Sequence, residues 1–184
     1  SGGTVKVISG TDEIRRSFQN TRQDSWVVDG EVVVDENMKA YLQFAKDLHD
    51  KELTFQAGQW SDTWTANMSN ETVLSYWGPM WLLMYCMGFG FDEDGNVADG
   101  ANPTTGDWGM VMSPAPSFWG GTWIAASNVC QYKASAADIM RYFTIDADSM
   151  MKMAQDGQFV NNVPVMEELG SDPEFGSALL GGDN

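Results

Sequence analysis

Histidine is nearly absent from this chain: His49 is the only one. A Ser-His-Asp arrangement would have to use it, and no GxSxG elbow accompanies it. A solvated helix position is its plainer role. Cysteine is scarce too. Cys86 and Cys130 form no CxxC, and no HExxH occurs, so the familiar zinc patterns are missing. Two cysteines leave open whether they pair in an exported protein or remain free thiols. Positive charge is low, with ten Lys and Arg against 26 Asp and Glu, a net charge of −16. Such a chain repels phosphate backbones and anionic lipid headgroups, which argues against nucleic acid and lipid surfaces as partners. No apolar run approaches the ~18–20 residues of a transmembrane helix. Ser1-Gly2-Gly3 lacks the basic and apolar regions of a signal peptide and reads as a cloning remnant.

What is abundant is tryptophan: eight in 184 residues, within a composition 43% hydrophobic. That composition and length fit one globular domain with a sizeable core. The stretch 113–127, SPAPSFWGGTWIAAS, sets two of the tryptophans either side of a Gly-Gly pair. Pro114 and Pro116 cannot donate to a sheet ladder, so the chain there is a loop or a sheet edge. Gly120 and Gly121 permit positive φ and a sharp turn. Residues 122–126 then read as a short buried strand. The expected product is a rigid loop carrying Trp119 and Trp123 into a sheet.

The rest of the chain alternates strand and helix signals. Thr11 can cap a helix starting at Asp12, with Ile14, Phe18 and Thr21 inward. WVVDGEVVVD predicts a hairpin with Asp29-Gly30 as a type I′ turn. Asp35 then caps a helix with Met38, Tyr41, Leu42, Ala45 and Leu48 on one face. Ser61 or Asp62 caps a short helix to Met68, residues 72–77 read as a strand, and 80–87 as a helix behind Pro79. Residues 88–106 read as an exposed acidic loop, and 107–112 as a strand. Ser135 with Asp138 resembles a capping box. Asp146 or Asp148 starts another helix, and Pro164 opens a last one to Leu169. From Gly170 the Gly/Asp/Ser-rich tail should leave the fold. The pattern is α/β, with a mixed sheet flanked by helices.

Catalytic constellations are not visible. The loop Asp92-Glu93-Asp94-Gly95-Asn96 approaches a calcium loop, but Val97 stands where the sixth-position Gly belongs and Pro103 where the last Glu belongs. A solvated acidic loop is the simpler assignment. Acids are so frequent that a pair such as Glu167-Glu168 does not single out a glycosidase. No enzyme activity, cofactor or metal is expected. The aromatics say more. Trp60, Trp64, Trp77, Trp81, Trp119 and Trp123 fall at predicted strand ends, loop edges or first helical turns, where α/β sheets bind ligands. Indole faces cover the C–H face of a pyranose while polar groups such as Asp62 bond its hydroxyls. The competing assignment puts three or four of the six in the core, leaving two or three for a ligand.

The ordered succession WVVDGEVVVD, DLHDKEL, QWSDTWTANM, TVLSYWGPMW, DWGMVMSPAP, WGGTWIAAS and the helical segment from ASAADIM to VMEEL resembles the C-terminal lobe of a carbohydrate-type extracellular solute-binding protein of a bacterial ABC transporter. The resemblance spans nearly all of residues 10–184. It implies one lobe of a two-lobe periplasmic-binding-protein-like fold of type II: residues 1–9 a remnant or hinge-side segment, 10–170 the lobe, 171–184 a tail toward an N-terminal lobe. It further implies an oligosaccharide held between two lobes, delivery to permease subunits, and an extracellular location, as a lipid-anchored or periplasmic protein. Carried onto this sequence, WGPMW makes Trp77 and Trp81 site candidates, WGGTW adds Trp119, Gly121 and Trp123, and Trp60 and Asp62 complete the set. A polyamine or a peptide is the alternative solute, since acids and tryptophans suit a cation as well.

Overall fold

The computed structural model describes residues 4–91 and 97–182. The acidic stretch 92–96, read above as a near-miss calcium loop, lies outside them. In chain order the elements are β1 (Lys6–Ile8), α1 (Arg15–Gln19), β2 (Val27–Val28), β3 (Glu31–Val32), α2 (Glu36–Asp50), α3 (Asp62–Ala66), β4 (Val73–Ser75), a π-helical turn (Leu83–Met87), β5 (Phe89–Phe91), β6 (Val97–Ala101), α4 (Lys133–Thr144), α5 (Ala147–Gln155), α6 (Val163–Gly170) and a 3₁₀ turn (Ala178–Leu180).

Where local signals are strong, the chain follows them. The Asp35 side chain accepts from the Met38 N–H at 3.0 Å and starts α2, which buries Met38, Tyr41 and Leu48. Asp29 and Gly30 both take positive φ, 50° and 84°, as a type I′ turn demands, and join β2 to β3. Ser61 caps α3, Asp146 caps α5, and Pro164 stands in the first turn of α6.

Elsewhere tertiary partners overrule the local signal. The expected mixed sheet is replaced, among the described residues, by three two-stranded pairings: β1 with β4 (parallel), β2 with β3, and β5 with β6 (both antiparallel). Thr54 adds a parallel bridge to Ile8. Residues 107–112 and 122–126 are not strands. Neither finds a strand partner among the described residues, and Val111 and Met112 are each 90% exposed. The expected loop 88–106 instead folds back as β5 and β6. Beyond it Asn102 is buried and donates to the carbonyls of Met68 and Met87. α1 starts at Arg15 rather than Asp12, because the Asp12 carboxylate accepts the Gln59 N–H at 3.0 Å and Glu13 turns inward. α4 begins at Lys133, ahead of the expected capping box, with no side-chain cap. The tail does not leave the fold. Leu179 and Leu180 are buried, and the Gly106 N–H donates to the Leu179 carbonyl.

Three apolar clusters result. One joins Ile8 and Ile14 to Met38, Tyr41 and Leu48 of α2. A second packs Trp64 and Met68 against Leu82, Met87 and Leu179. The third lies between α5 and α6, around Met150, Val160 and Val165. Cys86 and Cys130 are free thiols, and burial pushes Cys86 up from its ordinary pKa.

Candidate functional site

Between the second cluster and the first turn of α1 lies a cleft of about 510 Å³. Its floor is the segment from Leu74 through Leu83, leaving β4 and entering the π-helical turn. Its far wall is the irregular stretch from Trp108 to Trp119, held over α1 by the Asn20 side chain, which donates to the Phe118 carbonyl at 3.2 Å. The volume falls in the range of small-molecule sites.

Glu13 fixes the inner end. It is 2% exposed, and its carboxylate accepts from Trp64 Nε1 at 2.9 Å, the Gly10 N–H at 3.1 Å and the Trp77 N–H at 3.1 Å. One side chain thereby ties the β1–α1 turn, α3 and the end of β4 together. Burial outweighs those three bonds and pushes its pKa up to about 7. Tyr76, beside it, donates to the Trp64 carbonyl and is also raised by burial and by Glu13.

The tryptophans are arranged around Trp119. Trp60 and Trp81 stack at 5.7 Å with an interplanar angle of 13°. Trp119 stands edge-on to both, at 6.0 Å and 5.2 Å. Trp60 is half exposed and holds φ at +72°, a conformation that costs a bulky residue energy and persists only when its surroundings impose it. The Arg16 guanidinium lies 4.4 Å from the Trp119 ring centroid. Past Trp119, Gly120 and Gly121 take φ of 76° and 144° and turn the chain outward.

Of the residues singled out from sequence, Trp77 and Trp119 line the cleft. Trp60 and Trp81 join it through Trp119. Trp77 also packs on the first apolar cluster. Asp62 lies exposed in the first turn of α3, and Gly121 serves the turn. Trp123 is 77% exposed against Phe118, outside the cleft. Sequence reasoning passed over Glu13, Arg16 and Trp108. The Gly10-Thr11-Asp12-Glu13 run was a signal for the first, an acidic turn after a strand. Trp108 Nε1 donates to Thr104 at 2.8 Å, a pairing across an irregular loop that no periodicity announces. Among the described residues no cluster of His, Cys, Asp and Glu could hold a metal ion, and no helix is long and apolar enough to cross a membrane.

Residues 8–178 match the family model described as bacterial extracellular solute-binding protein. No curated protein and no solved structure shows a significant match. With the match covering most of its length, this chain belongs to the bacterial extracellular solute-binding proteins, a generally non-enzymatic family that binds a solute outside the cytoplasm and passes it to the membrane permease of an ABC importer.

Proposed function

We propose that the solute is a carbohydrate, an oligosaccharide, and that this chain acts as the C-terminal lobe of a two-lobe binding protein closing on it. The observation that carries this reading is the tryptophan group beside the cleft: Trp119 on the wall, backed by the stacked pair Trp60 and Trp81. Indole presents a large rigid apolar face at low entropic cost, which suits the C–H face of a pyranose. Trp77 and Trp108 extend the aromatic lining. The lobe assignment adds a second wall from an N-terminal lobe, which would cover the wide mouth of the cleft. Anchoring through a lipid at the cell surface belongs to the same reading.

Intrinsic tryptophan fluorescence of the protein, titrated with an oligosaccharide panel and with spermidine, tests it. A saturable shift with one sugar family is expected. Trp119→Ala should weaken that binding about five- to thirtyfold, a loss of roughly 1–2 kcal/mol of stacking and apolar burial. A response to spermidine alone, or to none of these ligands, would overturn the reading.

A further inference from the structure

We propose that the sugar bound here is an acidic one, a uronate-containing oligosaccharide whose carboxylate sits on the Arg16 guanidinium beside Trp119. This rests on the carbohydrate reading above.

The inference comes from what the cleft has left to offer. Its polar groups are mostly engaged. Both Glu13 oxygens accept N–H donors, the Tyr76 hydroxyl donates to the Trp64 carbonyl, and Trp108 Nε1 donates to Thr104. Ser75 donates to the Val7 carbonyl. Besides the hydroxyls of Ser17, Ser113 and Ser117, two N–H groups are left. The Arg16 guanidinium makes no hydrogen bond or ion pair among the described residues; its contact is the Trp119 ring. Trp119 Nε1 is buried and has no acceptor. Both are donors, and neither accepts at all. A solute that satisfies them must bring acceptors.

Charge narrows the class further. The chain carries 26 acids against ten Lys and Arg, yet among the described residues no carboxylate pairs with this cation. Four of the other nine Lys and Arg take acidic partners, Arg22 with Asp35, Lys39 with Glu36, Lys46 with Asp50 and Arg141 with Asp138, while Lys6 bonds a carbonyl and Arg15 an amide. Arginine stays protonated, and its planar fork matches a carboxylate with two parallel N–H bonds. Stacking on the indole pre-organises that fork, so less freedom is lost when an anion arrives. Glu13 lines the same cleft, but its oxygens are held by three N–H donors, which offset its charge toward a ligand. A polyamine, by contrast, would meet a fixed positive charge on the wall.

The test is a calorimetric titration of the protein at low ionic strength with matched pairs: α-1,4-trigalacturonate against α-1,4-galactotriose, and cellotriuronate against cellotriose. One acidic member should bind about tenfold or more tighter than its neutral partner, the worth of a charge-assisted bond. Added salt should erode that preference. Arg16→Gln should bring the ratio close to one, and Arg16→Lys should keep part of it. Circular dichroism checks that the variants fold; should Arg16→Gln not fold, the ratio and its salt dependence in the unaltered protein decide. Neutral sugars binding as well as acidic ones, or a preference untouched by Arg16→Gln, overturns this inference and leaves the carbohydrate reading standing. Failure of all four saccharides overturns this inference, and failure of the whole oligosaccharide panel, or a response to spermidine alone, overturns both.

Discussion

Arg22 and Arg16 each lay a guanidinium on an indole, 3.6 Å from the Trp26 centroid and 4.4 Å from that of Trp119. Around Arg22 the guanidinium has carbonyl and carboxylate partners within the protein, although its Nη1 and the Asp35 Oδ2 make no hydrogen bond among the described residues. It bonds the Asp24 and Val33 carbonyls and pairs with Asp35, with side chains only 6% and 11% exposed. Asp35 in turn caps α2. That arginine fastens the β2–β3 hairpin to the helix that follows it. Around Arg16 the same stacking occurs with no acid and no carbonyl among the described residues, on the wall of a cleft. The ring contact is common to both sites. What separates a structural clamp from a binding group is whether the guanidinium finds carbonyl and carboxylate partners within the protein.

Stability measurements should separate the two most. Arg22→Ala leaves Asp35 buried without its cation and should cost about 3 kcal/mol in urea unfolding. Arg16→Ala, with no partner to orphan, should stay within about 1 kcal/mol. Equal losses would break the comparison.

Glu13 sharpens it from the other sign of charge, as a cleft acid whose bonds are all internal. Its pKa is raised from 4.5 to about 7, so the folded state holds the proton more tightly than the unfolded chain does. Its contribution to stability is therefore fully present below pH 4.5, falls as pH rises, and levels off above about 7. The loss across that window should be on the order of 3 kcal/mol. Glu13→Gln should flatten this part of the pH–stability curve; an unchanged slope would show that other groups set it.

Smaller effects divide the tryptophans. Trp119→Ala should lower solute affinity by roughly 1–2 kcal/mol, read by calorimetry. Trp123→Ala, four residues on in sequence but 77% exposed, should change stability by less than about 0.5 kcal/mol and affinity less than Trp119→Ala does. A larger affinity loss at Trp123 would move the site toward the outer face of that loop.

The elements legible in the sequence are those that one or two neighbouring residues decide. Asp35, Ser61 and Asp146 each cap the helix they precede, and Asp29-Gly30 sets the hairpin turn. The illegible ones wait on distant partners. Residues 122–126 have a strand's composition and no strand beside them. β5 and β6 look like loop and become a hairpin by pairing with each other. The leucines at 179 and 180 return because Leu179 packs into the second cluster and both side chains become buried. The site divides the same way. Trp77 and Trp119 stood out by residue type. Arg16 did not, since an arginine in a short helix carries no mark until a ring from far along the chain lies under it.

By itself the sequence determined the acid excess, the wealth of tryptophan, the capped helices and the family, all of which depend on composition or on short-range order. Only the tertiary structure decided which tryptophans line the cleft, that Glu13 is buried among three N–H donors, and that Arg22 finds carbonyls and a carboxylate while Arg16 finds a ring. Those outcomes turn on contacts between segments as many as a hundred residues apart, and a pairing across that distance is fixed by packing, not by any residue's own preference.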